Sequence, residues 1–514
     1  MADNSDNHSS LTKTAFIITL ITAGGRIIGF LREAVIAYVF GAGAVTDAYT
    51  VALRIMTTAG LLTSVYLTTT FVPSYIRVRE QQGDDASLRV ANNVLGVALA
   101  INLFIVVALL FTSPFILNMT TGFDEQQMAF AVISVSILLF KLPFRTFVKF
   151  FSGYLNARKS FFAPKFTSIP TNVAFIAACL ILGTASGIRG LSVASLIGAV
   201  VGLLIFFFWL PKEQYRYRFS MRFNTPEIRS DMKILMPALV GSALVDLKAW
   251  VDTMLATFLG EGNAAAIGFS NRLLGFVSGL FVIPLATIAY SYMSSYAAKN
   301  DTQKMLDILW KTMRVILFVV LPMIIIAVPS SFDVVQIVFE RGEFSPDATL
   351  LTGTALMGYL PGLLGLSMYI FLVRFFYGLS DTRTPMISGM VAMLVNIALS
   401  IFLSQRMGII GITLASSVGH TLSALLLLAL LRRKMGRLNF RSTAISIAKM
   451  AVAAIPCAIA VLAMTHLLSS QHTIIRFAAV TVTAGSVYLV TALLLKETVA
   501  HDLLRMVKKR LLRR

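Results

Sequence analysis

The chain has 514 residues, 57% of them hydrophobic and 13% charged, and a mean hydropathy of +0.80. A soluble protein of this length cannot hide so much apolar surface, so a water-soluble globular fold is excluded and the bilayer is the solvent. The net charge of +20 suggests nucleic acid as a partner, but the basic residues gather in alternate connections between apolar runs, which excludes that class as well.

A span needs about 20 apolar residues to cross about 30 Å of hydrocarbon. About fourteen runs qualify: 14–40, 45–74, 92–117, 127–155, 161–184, 189–211, 232–259, 264–297, 305–329, 348–378, 385–404, 408–432, 443–467 and 474–496. The first contains GGRIIGFLRE at 24–33. On a helix Arg26, Gly29 and Glu33 share a face, with Arg32 toward its flank. Gly24, Gly25 and Gly29 allow close approach of a neighbouring helix or a bulky headgroup. A central Arg costs roughly 2.5–3.5 kcal/mol, so it survives where it meets water, a counter-charge or a ligand. Two readings stay open here. Arg32 and Glu33 pair as structural ions, or the guanidinium groups line a cavity for an anion, which their planar forks suit.

The second run adds Asp47 and Arg54, seven residues apart and on nearly one side, as a balancing acid and a further anion contact. In the fifth and eleventh runs, Asn172 and Asn396 either bond backbone groups between tightly packed helices or serve a site. Asp252, in WVDTMLATFLG of the seventh, is either paired with Lys248 one turn away or a ligand for a coupling ion. Arg272, in SNRLLGFVSG of the eighth, adds another intramembrane cation. Arg374 and DTRTP at 381–385 read as a turn, with Thr-Pro starting the next helix. The excess of intramembrane Arg over acids points to an anionic cargo rather than a cationic drug.

Basic residues cluster at Arg77/Arg79/Arg89, Arg158/Lys159, 212–233, Lys299/Lys304, Arg383, RRKMGR at 432–437 and the tail KKRLLRR at 508–514. The alternation places both termini in the cytoplasm of a multi-pass plasma-membrane protein, and the tail is a topology signal that also suits anionic lipid. No cleavable signal peptide is expected. Cys179 and Cys457 lie apart within spans and suggest neither a disulfide nor a metal site. HExxH, Walker A, GxSxG and CxxC motifs are absent, so no enzyme is expected.

GIRGLSVASLIG at 187–198 and GIIGITLASSVG at 408–419 share six of twelve positions at an offset of 221. Asn172 and Asn396 are 224 apart, and Arg54 and Arg272 are 218 apart. The expected architecture is therefore an all-α polytopic membrane protein with two pseudo-symmetric six-helix lobes, 1–222 and 223–438. An appended helix pair and the basic tail occupy 439–514. Such lobes make a two-lobed transporter with a pathway between them.

GRIIGFLREAVIAYVFGAGAVTDAYTVA at 25–52, GYLNARKSFFAPKFTSIPTN at 153–172, FSNRLLGFVSGLFVIPLATIAYSYMS at 269–294 and RFFYGLSDTRTP at 374–385 carry a resemblance that covers the whole chain. It resembles the MurJ (MviN) family of lipid II flippases, within the multidrug/oligosaccharidyl-lipid/polysaccharide exporter superfamily. The resemblance implies headgroup-binding arginines at Arg26, Arg32 and Arg272, and an aspartate at Asp47. With Arg54 these form the expected anion site, with Glu33, Asp47 and Asn271 as its acidic and polar groups. It also implies an apolar groove for a polyprenyl tail at 443–496, and a coupling site for sodium, or else a proton, near Asp252, Asn396 and Ser416. The chain departs from the family pattern at Gly60, Asn271, Gly275 and Ser400, where charged or acidic residues are usual.

The expected function is to move an undecaprenyl-diphosphate-linked saccharide, lipid II or another such glycan, to the outer leaflet by alternating access. The membrane potential would assist, and the partners would be the lipid-linked saccharide, membrane lipids and other cell-wall synthesis proteins. A cation-coupled drug antiporter on the same fold and a non-transporting scaffold are the rival expectations.

Overall fold

The computed structural model describes residues 3–213, 215–299, 301–435 and 441–511. Residues 436–437 of the RRKMGR cluster and 512–514 of the basic tail lie outside them. Every regular element among the described residues is helical. Eleven helices among them are long and apolar enough to cross a membrane, or twelve if one pair bent by 59° forms a single span. The expected number, about fourteen, is not reached by this criterion, and the difference has two sources. The runs at 161–184 and 189–211 are continuous as Phe162–Phe207, interrupted at Gly187. The first helix, Asp3–Phe40, is not among those counted.

Contacts divide the chain into two compact units, Met1–Ala265 with Arg341–Ser345, and Ala266–Glu340 with Pro346–Arg514. Packing therefore partitions the chain differently from the sequence repeat, whose boundary is 222/223. The helix that opens the second repeat packs with the first unit.

The first unit holds α1 (Asp3–Phe40), α2 (Ala44–Ala59), α3 (Leu61–Gln82), α4 (Asp84–Thr120), α5 (Glu125–Ala157), α6 (Phe162–Phe207) and α7 (Pro226–Thr257). Its core is aromatic: Phe71, Tyr75, Phe150, Tyr154 and Phe206 are fully buried, and the Phe71 and Phe150 rings lie 5.0 Å apart. The connection from α6 to α7 is strapped across α4 by two asparagines. Asn92 donates to the Arg216 carbonyl at 3.0 Å, and Asn93 donates to the Arg222 carbonyl at 2.9 Å. The glycines of α1 act as expected. A Cβ on Gly25 would lie 2.2 Å from Ser168 Oγ, so the bare backbone admits α6.

The second unit holds most of α8 (Asn263–Ala297), then α9 (Thr302–Ala327), α10 (Ser331–Phe339), α11 (Pro346–Gly378), α12 (Arg383–Met407) and α13 (Ile409–Met435). The appended pair is α14 (Thr443–Leu467) and α15 (Thr473–Leu494), followed by α16 (Thr498–Leu511). Small residues Ala453, Cys457, Ala484 and Ala492 close the α14–α15 seam, and the Phe318 ring of α9 lies tilted against Tyr488, centres 5.3 Å apart. Arg476 of α15 grips Asp333 of α10 with two N–H groups, one at 3.0 Å, and Thr473 donates to Gln336 at 2.7 Å. Both cysteines are free and buried.

The sequence repeat reappears in the backbone. Gly187 has φ 54° and ψ −129°, and Gly408 has φ 61° and ψ −138°. These are conformations that favour glycine. Three residues on, a Cβ at Gly190 would sit 2.0 Å from the Leu182 carbonyl oxygen, and one at Gly411 would sit 2.3 Å from that of Leu403. Each unit thus contains the same tight helical hairpin, made possible twice by glycine.

The DTRTP turn joins α11 to α12 as expected. Asp381 accepts the Thr384 backbone N–H at 3.0 Å and its hydroxyl at 2.8 Å, and pairs with Lys434 at 2.5 Å. Burial alone would raise its carboxyl, but the Lys434 and Thr384 hydrogen bonds win and hold it at about 2. A carboxyl depressed in the fold stabilises it fully above its unfolded value, near 4, and loses that contribution as pH falls toward 2. Asp381→Asn is expected to remove the part of acid-induced unfolding that falls in this window, read by thermal unfolding in detergent. An unchanged acid limb would refute the assignment. Arg374 is a brace: it donates to the Ile283 carbonyl at 2.8 Å and the Thr287 hydroxyl at 2.6 Å.

Candidate anion-binding site

In the first unit the expected cluster separates into three environments. Arg32 is engaged. It meets Glu33 at 2.5 Å and Asn172 Oδ1 at 3.3 Å, and its guanidinium lies 5.4 Å from the centre of the Phe175 ring. Asn172 also donates to the Ser168 carbonyl at 2.7 Å, so it bonds backbone and orients Arg32 at once. The ion-pair reading of Arg32 and Glu33 is therefore what the geometry shows, with Glu33 buried beneath it. Arg26, near the middle of α1, is exposed, and Arg54 on α2 is half-buried.

Asp47 is held by backbone. It is fully buried, and its two oxygens accept the backbone N–H groups of Gly262 at 2.6 Å and Ala265 at 2.7 Å. The carboxylate thus caps the first turn of α8. The cap is reciprocal, because Glu261 accepts the Ala44 N–H at 2.8 Å at the start of α2. Each helix N-terminus receives an acid from the other's neighbourhood, where orphan N–H groups and the helix dipole favour negative charge. Sequence spacing puts Asp47 and Arg54 on one side of α2 but could not show that the acid was already spent.

In the second unit, Asn271, Arg272 and Gly275 form an exposed patch on α8, with Asn271 donating to the Tyr359 hydroxyl at 3.5 Å. Arg272 lies about 14 Å along the helix from its start.

The donor set expected for sodium fits that ion poorly. Asp252 is 2% exposed, and Lys248 Nζ lies 2.6 Å from its carboxylate, so a fixed ammonium already supplies the charge that a cation would bring. Asn396 and Ser416 are buried in the second unit, where both amide atoms of Asn396 lack a hydrogen-bond partner among the described residues. Position 400 offers a hydroxyl in place of a carboxylate. Replacing choline with sodium is expected to leave the unfolding temperature unchanged. Lys248→Met should destabilise the protein by about 3–5 kcal/mol, because a buried carboxylate loses its adjacent charge, and should make the unfolding temperature respond to sodium. A sodium response in the parent chain would overturn this.

Three cations on α5 stand outside the expected site. KLPFRTFVK at 141–149 places Lys141, Arg145 and Lys149 at intervals of four, on one helical face. Lys141 donates to Ser195 at 2.8 Å, Arg145 rests 3.8 Å from Met56 Sδ, and Lys149 donates to Ser64. Their spacing was the available signal.

The family model described as "Lipid II flippase MurJ" matches residues 36–483. A relative from Rhizobium meliloti, "Probable lipid II flippase MurJ", is 26% identical over 436 residues, 82% of this chain and 81% of that protein. A solved structure of "Lipid II flippase MurJ, inward closed conformation" superposes with a TM-score of 0.78 at 21% identity, covering 95% of this chain and all of that one. A solved structure described as an inward-facing multidrug resistance MATE family transporter of the MOP superfamily gives a TM-score of 0.66 at 13% identity over 80% of this chain and 94% of that one. The structural likenesses establish the fold, and the family model spans most of the chain. This multi-pass, all-helical protein belongs to the lipid II flippase MurJ family.

Proposed function

We propose that this chain turns lipid II from the inner to the outer leaflet by alternating access, acting as a transporter and not an enzyme. One observation carries the reading. Arginines Arg26 and Arg272 are exposed within apolar helices, while the intramembrane acids of the expected site are each spent. Glu33 holds Arg32, Asp47 holds backbone N–H groups, and Asp252 holds Lys248. An Arg facing hydrocarbon costs roughly 2.5–3.5 kcal/mol, so its place is a polar pathway. A cationic drug would want a carboxylate in that pathway, whereas a diphosphate wants the guanidinium groups. This favours an anionic cargo over the rival reading as a cation-coupled drug antiporter.

The apolar outer faces of α14 and α15, with Ile455, Ile459, Leu462 and Val482 exposed, suit a polyprenyl tail that stays in lipid while the head crosses. In the bacterial plasma membrane with both termini inside, the potential favours outward movement of an anion by roughly 2.3 kcal/mol per charge per 100 mV. Sodium or proton coupling is not required by this scheme. Other cell-wall synthesis proteins would supply and consume the cargo. The test is a headgroup-accessibility assay in cells depleted of the protein. Lipid II should stall facing the cytosol; normal outer exposure, with a different lipid-linked glycan stalled, would transfer the assignment to that glycan.

A further inference from the structure

We propose that residues 215–223, in the connection from α6 to α7, dock on the anionic lipid headgroups of the bilayer leaflet beside them. The docking parts are a crest of exposed aromatic side chains and three arginines. The segment belongs to no helix, yet its place on the molecule is fixed. Asn92 of α4 donates to the Arg216 carbonyl at 3.0 Å and accepts the Tyr215 hydroxyl at 2.8 Å. Asn93 donates to the Arg222 carbonyl at 2.9 Å, and accepts the Arg222 N–H at 2.6 Å and the Ser220 hydroxyl at 2.9 Å. A Cβ on Gly96 would lie 1.9 Å from the Ser220 carbonyl oxygen, so a bare backbone admits the chain there.

These pins shape the segment. From Arg216 to Arg222 an extended chain reaches about 20 Å, yet both carbonyls bond to consecutive residues of one helix. The chain between them therefore bows away from α4. Tyr217, Arg218 and Phe219 are all exposed there, Phe219 by 75%, with Met221 and Phe223 exposed beside them. The side of α4 identifies the surroundings. Asn93, Phe104 and Phe115 recur at intervals of eleven residues, three helical turns to within about 20°, and so share one stripe. Phe104 and Phe115 are 75% and 67% exposed on a helix apolar enough to span the membrane, so that stripe faces lipid. Asn93 stands at the start of the apolar run 92–117, where the stripe passes from headgroups into hydrocarbon.

The charge is uncompensated. No acid occurs between positions 215 and 225, and Glu213 just before them is taken by Arg158 at 3.3 Å. Among the described residues, Arg216, Arg218 and Arg222 form no ion pair. A topology signal needs positive charge alone and leaves the aromatic crest unexplained. Rings and guanidinium groups held together at the membrane edge fit a surface that is apolar below and negative above, where aromatic side chains concentrate and each basic residue is attracted to anionic lipid. An acidic protein would answer the arginines, but lipid already runs along the same stripe.

The test uses the full chain in phosphatidylcholine nanodiscs containing increasing phosphatidylglycerol. Phe219→Trp keeps an aromatic crest, and its fluorescence is read as the excess over the parent chain's three tryptophans. That signal should be quenched by lipids brominated on their acyl chains, increasingly so as phosphatidylglycerol is added, and shielded from aqueous acrylamide. Adding Arg216→Gln, Arg218→Gln and Arg222→Gln should abolish the response to phosphatidylglycerol. Open access to acrylamide at every lipid composition overturns the proposal and leaves the face to a soluble partner. A response to phosphatidylglycerol that survives loss of the three arginines overturns it as well. If the arginine variant does not fold, salt decides: raising it from about 0.05 to about 0.5 M should weaken the response with the arginines intact, and an unchanged response refutes the headgroup contact. None of these readouts involves transport, so the outcome is independent of the flippase reading.

Discussion

Arg26→Ala and Arg272→Ala are each expected to abolish complementation of a flippase-depleted strain while leaving the protein folded and present in the membrane. Both side chains are exposed, so their removal opens no cavity in the core. The loss should fall on cargo. Each charge-assisted contact to phosphate contributes roughly 1.5–3 kcal/mol, equivalent to about ten- to hundredfold in affinity. Arg→Lys at either position should recover part of the function, since charge returns without the planar fork. Arg32→Ala should behave differently. It removes an ion-pair partner of buried Glu33, so a fall in thermal stability should accompany the loss of function. Complementation experiments with immunoblots and unfolding curves separate these cases. Full growth with Arg26, Arg32 and Arg272 all replaced would end the anionic-cargo reading.

The largest stability effect should come from Asp47. Its carboxylate satisfies two buried backbone donors at the start of α8. Asp47→Ala is expected to cost about 3 kcal/mol or more, since hydrogen bonds to a charged group contribute roughly 1.5–3 kcal/mol each. Asp47→Asn should cost less, because its one oxygen can still accept from Gly262 or Ala265. The measurement is thermal unfolding of the purified protein, with diphosphate-lipid binding recorded alongside. A cap predicts lower stability with affinity retained in the fraction that folds. Unaltered stability with weakened binding would return Asp47 to the role of a cavity acid.

Much of the fold was legible because hydropathy and glycine placement are local properties. The hairpins around Gly187 and Gly408 could be read from two similar twelve-residue strings, since the conformation they need is one that favours glycine. The DTRTP turn was legible for the same reason: Asp381 and Thr384 are three residues apart and cap their own helix. Arg32 with Glu33, and Lys248 with Asp252, were foreseeable as pairs because each partner lies within one turn.

The candidate site was legible only in its residue types. Amino-acid order alone established a membrane solvent, a duplicated helical plan and a surplus of intramembrane positive charge. Tertiary structure decided which of those charges are spent and which are exposed. Asp47 is consumed by N–H groups more than 200 residues away, Asn172 reaches Arg32 across 140 residues, and Lys149 meets Ser64 across 85. The physical reason is that a charge in hydrocarbon is defined by what lies within a few ångströms of it. Helical periodicity says which side a residue occupies, but only packing says which helix covers that side.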